Sequence, residues 1–279
     1  MNYSSALTTP KGVEKWLIFP LPSTNEYQEI IGLKSAFIKK IKEVKTNKII
    51  TIRLNDVKET EDILLCSFRL KTKEVVKTFN QKWFVKDYKK NTQITKDDFI
   101  NGSDRQLKVI KKKLADPKDS LFNIVCSAYN FSLDYLSYGN PIDGLHTFRQ
   151  ALEERITDCG GYSTLIASLL ASYNIPSRIV SGFIIDRSLT STLSLFGLKK
   201  LNFNNLLMHA WLEVLLPDGT WFPLDGSIEW KRKYSLSTRQ GGFGYIPADR
   251  LVVSFGHNFK LLLNNKEYSL PILQKPQFL

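Results

Sequence analysis

The sequence predicts a chain in which strands and helices are segregated: a small β-sandwich over the first hundred or so residues, then a region of mixed helix and strand. Three observations carry this. Short runs rich in Val, Ile, Phe and Thr dominate the N-terminal part. An amphipathic helix opens at Cys159. A histidine-bearing strand, His209–Leu216, is followed by a turn and a second strand.

The strand candidates come first. Trp16–Pro22 (WLIFPLP) is an apolar run broken by two prolines, which suits an edge strand. Lys48–Leu54, Ile63–Leu70 and Glu74–Val85 are further strands separated by polar turns. Asp104–Leu114 reads as a basic connecting helix that Asp116-Pro117 ends. The expected domains are therefore 1–103, rich in β structure, and 104–279, the chemical domain. Asp119-Ser120 caps a helix expected to run to about Tyr138, with Cys126 on it. Gly139-Asn140-Pro141 breaks that helix, and a short one follows over Leu145–Glu154.

The chain has 279 residues, 43% of them hydrophobic, and no run approaching 18 apolar residues, so no membrane-spanning helix is expected. The start, MNYSSALTTPKGVEKW, lacks a basic stretch followed by an apolar one, so no cleaved secretory leader is expected. Three scattered cysteines (Cys66, Cys126, Cys159) make no disulfide framework and no CxxC pair. A reducing cytoplasm is the expected compartment, and neither a metal nor a cofactor is expected. The net charge is +12, and residues 1–115 carry 24 Lys and Arg against 13 Asp and Glu, a net of +11. A basic surface of this kind can meet nucleic acid, anionic lipid or an acidic partner. The lysines are dispersed, however, and suit a solvated β-domain that guards its edges. Nucleic acid is not the expected partner, and the sequence fixes no oligomeric state.

The chemistry concentrates at Cys159. Tyr162, Leu165, Ile166, Leu169, Leu170 and Tyr173 recur at helical spacing, and Asn174 and Pro176 stop the helix. Cys159 thus stands at a helix N-terminus, where unpaired N–H groups and the positive dipole end favour a thiolate. Gly160 and Gly161 leave room for a substrate backbone, and the Cys159 N–H is placed for an oxyanion hole. A cysteine on an apolar helix is ordinarily a small core residue, which is the reading for Cys126 and Cys66. The terminal position and double glycine set Cys159 apart.

A nucleophile needs a base, and the chain has three histidines. His209 opens the strand HAWLEVLL, and Pro217-Asp218-Gly219 suits a three-residue hairpin loop with Gly219 left-handed. That register pairs Leu216 with Thr220 and sets Asp225 opposite Trp211, on the face shared with His209. A two-residue loop would turn Asp225 away. His146 and His257 lack such company and read as surface or structural residues. Cys159, His209 and Asp225 then form a nucleophile, a base held beside it as an ion pair, and an orienting acid. Gly160, Trp211 and Tyr138 are candidate substrate contacts, although Trp211 and Trp221 read more readily as core aromatics.

These residues resemble the transglutaminase-like superfamily, a papain-like group of thiol enzymes. The resemblance covers about residues 105–256. It rests on Tyr138 ending a helix, the Cys159 helix, Ile175-Pro-Ser-Arg-Ile-Val-Ser-Gly-Phe183 (similar to a "GIPAR…GY" strand), His209-Ala-Trp211, and Trp221–Asp225 as a closing "W…D" element. It implies an α+β papain-like domain with the Cys-His-Asp roles at Cys159, His209 and Asp225. The N-terminal β-region, with Gly242–Tyr245 and Ser254–Gly256, is similar to bacterial and archaeal members that pair a β-domain with this core. Thr157 stands where many members have a small residue, and Asn174 where a glycine is usual. The stretch 186–208 is longer than the usual connection and reads equally as a lid over the cleft or a plain insertion.

The implied activity is attack on the amide carbonyl of a peptide or protein. Hydrolysis is favoured over crosslinking by analogy with peptidase-like relatives. The alternative is a binding module in which the basic N-terminal domain docks an anionic partner.

Overall fold

The computed structural model describes residues 2–3, 15–54, 63–89, 92–186 and 206–279. The chain divides into two compact units, each discontinuous in sequence. One comprises Met1–Lys73, Ser181–Met208 and Ala248–Leu279, and the other Glu74–Val180 and His209–Pro247. Compactness thus cuts the chain elsewhere than the 103/104 division that composition suggests. Residues 74–103 group with the helices, and the C-terminal strands group with the N-terminal ones.

The first unit is built on a four-stranded antiparallel sheet in the order Gln277–Phe278, Trp16–Leu21, Asn47–Arg53, Ile41–Val44. Trp16–Leu21 is therefore an inner strand and not the expected edge. Its apolar run is continuous because both faces are covered. Leu17, Phe19 and Leu21 pack with Ile50, Ile52, Leu65 and Cys66. Ile18 packs with Ile49 and with Phe259, Leu261, Leu263, Leu270 and Leu273. Pro20 is tolerated because the C-terminal strand pairs only with Leu17 and Ile18, so no partner asks for an N–H at Pro20.

Phe259–Leu263 and Lys266–Leu270 form a hairpin turned by Asn264 and Asn265, both with positive φ (46° and 63°). Gln28–Lys34 pairs with Ser67–Thr72. The Gln28 side chain both donates to Val252 O and accepts from Val252 N–H at 2.8 Å, mimicking a strand partner for Arg250–Phe255. Asn47 does the same at Phe255. Of the strand expected over Glu74–Val85 only Val75–Val76 forms. Phe79 instead enters a ring cluster with Trp83, Phe122 and Phe222, so aromatic packing holds this segment in place of a ladder.

Among its described residues the second unit holds five α-helices: α1 (Arg105–Lys111), α2 (Leu121–Tyr135), α3 (Phe148–Glu154), α4 (Cys159–Ser172) and α5 (Gly226–Lys233). α4 packs against the other four. It is buried from Gly160 to Ala171, beyond the single stripe that periodicity marks. Its polar side is absorbed locally: Ser163 Oγ donates to Cys159 O at 2.9 Å, and Ser168 Oγ accepts from Asn101 N–H at 3.1 Å. α2 stops three residues before Tyr138. Ser137–Tyr138 instead pairs in parallel with Ile156–Thr157, just before the Cys159 helix. α3 starts at Phe148 behind a Thr147–Gln150 capping box.

Candidate active site

α4 begins at Cys159 because Asp158 caps it: Oδ1 accepts from the N–H groups of Gly160 (2.9 Å) and Gly161 (3.2 Å). The two glycines serve packing rather than substrate access. Both are buried; a β-carbon at Gly161 would overlap Thr157 Oγ1, and one at Gly160 would lie 2.9 Å from Leu145 Cδ1 and 3.1 Å from Asp158 Oδ1. Gly160 is thus walled in and does not offer the substrate contact expected of it. The helix ends as the sequence suggests, with Asn174 left-handed at φ 59°.

The hairpin carries the other two residues. Leu206–Leu215 pairs antiparallel with Trp221–Leu224 in the register Leu212↔Leu224 to Leu215↔Trp221. Leu216 N–H donates to Thr220 O at 2.7 Å, and Gly219 sits at φ +90°. The three-residue loop is therefore present, and the register continues to bring Asp225 opposite Trp211. His209 Nε2 lies 2.8 Å from Asp225 Oδ2, with the two side chains 4% and 1% exposed. Asp225 also caps α5: its Oδ1 accepts from Ile228 N–H (3.3 Å) and from Ser227 Oγ–H (3.4 Å). Sequence reading missed α5, because its residues GSIEWKRK are mostly polar and its first turn is defined by a cap already assigned another role. Glu229 ties α5 to α2 by accepting from Tyr129 Oη–H at 2.5 Å.

The thiol joins this pair through the strand. The backbone N–H of Ala210, next to His209, hydrogen-bonds the Cys159 sulfur. Cys159 is half-buried, whereas Cys66 is buried in the first unit and Cys126 is half-buried on α2. Burial raises the Cys159 thiol to about 12, with Asp158 and then Asp225 adding to the effect, against the Ala210 N–H and Lys231, which lower it. Burial first, and the anionic Asp158 cap second, thus act against the thiolate that the positive helix end favours. Burial likewise holds the Cys66 thiol up at about 11 and raises that of Cys126.

Trp211 is 1% exposed and stacks on His209, with ring centroids 6.0 Å apart and planes at 24°. It backs the imidazole from the core and cannot act as a substrate platform. Trp221 lies under the Arg178 guanidinium, 3.9 Å from its centroid. Tyr138 stays at the site: burial and the nearby Cys159, Asp158 and Asp225 charges all raise its phenol. His146 is buried, with Nε2 3.0 Å from Asn140 O and 4.0 Å from Asp158 Oδ2, a structural position behind the cap. Lys231 of α5 was not foreseen; its Nζ sits 3.3 Å from the Tyr138 ring centroid. The proposed lid over 186–208 lies, from 187 to 205, outside the described residues. Among the described residues no helix is long and apolar enough to cross a membrane, and no group of three or more His, Cys, Asp or Glu is arranged to hold a metal.

A cysteine at the start of a buried helix, set against a hairpin bearing histidine and aspartate, defines the papain-like α+β class. Residues 106–226 match the model of the transglutaminase-like superfamily. The matched stretch contains Cys159, His209 and Asp225. The chain is similar in fold to a cysteine protease proposed for Cytophaga hutchinsonii, at 12% identity and a TM-score of 0.54 over 87% of this chain and 76% of that one. A further resemblance is to the periplasmic domain of TgpA from Pseudomonas aeruginosa, at 13% identity and a TM-score of 0.38, covering 85% of this chain and 80% of that one. No curated protein matches the sequence.

Proposed function

We propose that this chain is a cysteine-dependent amide hydrolase acting on peptide or protein substrates, with Cys159 as nucleophile, His209 as base and Asp225 as orienting acid. The observation that carries it is the 2.8 Å His209–Asp225 contact on the strand whose next N–H, at Ala210, meets the Cys159 sulfur. Burial acts against the thiolate, and His209 serves as the base that takes the thiol proton.

With Nε2 engaged by Asp225, Nδ1 takes the Cys159 proton as sulfur adds to the carbonyl carbon. The Cys159 N–H donates to the developing oxyanion; its neighbours at Gly160 and Gly161 are already taken by Asp158. The imidazolium then returns the proton to the leaving nitrogen, the C–N bond breaks, and a thioester remains. Water adds to the thioester with His209 again as base, releasing the acid and the thiol. An amine in place of water would give transamidation by the same steps. A reducing compartment keeps such a thiol usable, and we retain the cytoplasm as the proposed location.

The test is substrate profiling of the wild type against Cys159→Ala, with amine acceptors present and absent. Release of acid that needs Cys159 and is indifferent to amine supports hydrolysis. Amine incorporation outpacing hydrolysis would move the assignment to acyl transfer. Turnover retained in Cys159→Ala would remove the thiol from the mechanism.

A further inference from the structure

The last turn of α5 reads Lys231-Arg232-Lys233. A basic helix C-terminus is ordinarily a dipole match and a solvated end. Two of the three residues fit that account. Lys233 pairs on the surface with Asp134 at 2.7 Å, and Arg232 Nη1 donates to Gly241 O at 2.6 Å. Lys231 does not. It turns inward, is only partly exposed, and places Nζ 3.3 Å from the centroid of Tyr138. A cation over a ring is attracted by the ring face, and the contact also fixes where a flexible side chain ends.

Tyr138 pairs with Thr157, two residues before Cys159, so that end point lies beside the head of α4. The groups acting on the Cys159 sulfur are Asp158 at its own helix cap, the Ala210 N–H on the hairpin, Asp225 before α5, and Lys231, with Tyr138 close enough to feel the sulfur's charge. The groups acting on Lys231 are Cys159, Asp225, Asp158, Arg239 and the Tyr138 ring. Two carboxylates oppose a negative sulfur, and Lys231 is the lysine set against them at this cluster.

We propose that Lys231 is a positioning residue of the active site, whose ammonium, held over Tyr138, steadies the negative charge that develops on the Cys159 sulfur as its proton passes to His209. The inference rests on the assignment of Cys159 and His209 above. Burial lowers the Lys231 ammonium, and Cys159 and then Asp225 act against that shift. Asp225 fixes the start of α5, and the helix carries Lys231 to the sulfur, so base and cation are held by one short segment.

The experiment measures the rate of Cys159 alkylation by iodoacetamide on the full chain from about pH 6 to 10.5, with labelled sites resolved by peptide mass spectrometry. It needs no substrate. In Lys231→Met the rate at Cys159 should fall about tenfold at neutral pH, as for a loss of roughly one pH unit of thiolate support. Lys231→Arg should restore most of that rate. Labelling of Cys126 serves as the internal control and should not move. Lys231→Gln, checked by circular dichroism, is a second route should methionine disturb folding. The proposal is overturned if Lys231→Met and Lys231→Gln superimpose on the wild type while His209→Ala slows Cys159. If His209→Ala is also without effect, the thiol–imidazole assignment itself fails. The two failures are thus distinct.

Discussion

The carboxylate of Asp225 meets the His209 imidazole at 2.8 Å with one oxygen and caps the following helix with the other. This double engagement ties the chemistry of the site to the integrity of α5, and the two can be separated by substitution.

Asp225→Ala removes both contacts. It should lower stability by about 1–3 kcal/mol, from a lost helix cap and a buried imidazole without its acid. Activity on an amide substrate should fall by roughly 100-fold or more, in line with a base that is no longer oriented. Asp225→Asn retains an oxygen for the cap and should lose less stability than alanine while still losing rate. Denaturant melts beside turnover measurements decide this. Equal stability loss in both variants would remove the cap from the account.

Thiol labelling tests the site without a substrate. The Cys159 thiol is held up near 12, so it should react readily only through His209. An electrophilic probe that reads the amide site should mark Cys159 ahead of Cys66 and Cys126, and His209→Ala should abolish that preference. Indifference to His209 would count against a shared mechanism.

Gly161 predicts a packing defect of known origin. Alanine there would press its methyl into Thr157 Oγ1, with Thr157 Cβ 2.8 Å away. Gly161→Ala should destabilise by about 1–3 kcal/mol through overpacking. Thr157→Ala in the same chain should recover part of the loss, since it removes the hydroxyl and leaves the close β-carbon. Additive losses in a double-mutant cycle would show that the two positions are not coupled.

Cys66 gives the stability a pH dependence. Its folded thiol titrates near 11 and its reference value is 9.0. The folded state therefore holds the proton more tightly, and the associated stability is full below pH 9 and is lost between about pH 9 and 11. Cys66→Val should flatten that part of the alkaline decline, as followed by urea melts at several pH values. An unchanged slope would mean that the thiol ionises equally in both states.

The Cys159 helix, the Pro217-Asp218-Gly219 loop and the left-handed Asn174 were legible because local turn and helix chemistry decide them. The Trp16–Leu21 strand was placed on an edge because Pro20 signals one, yet the second face is covered by strands from the far end of the chain, which no local pattern announces. Glu74–Val85 has strand composition, but its rings find a cluster instead of a partner strand. At the candidate site, the helix position singles out Cys159 and the hairpin singles out His209. The helix position does not announce the burial that raises the thiol, nor that Asp158, which starts the helix, adds to it. Gly160 lacks a side chain to block a substrate and Trp211 shares a face with His209, yet both are enclosed by packing. Lys231 was invisible because it belongs to a basic run whose neighbours do ordinary surface work.

The Ile228 amide hydrogen-bonds the same carboxylate that aligns the ring. Its exchange with deuterated solvent therefore offers a reporter of imidazole anchoring in the resting protein. Any fraying at the head of α5 would surface as faster isotope uptake at that amide before a loss of turnover could be noticed.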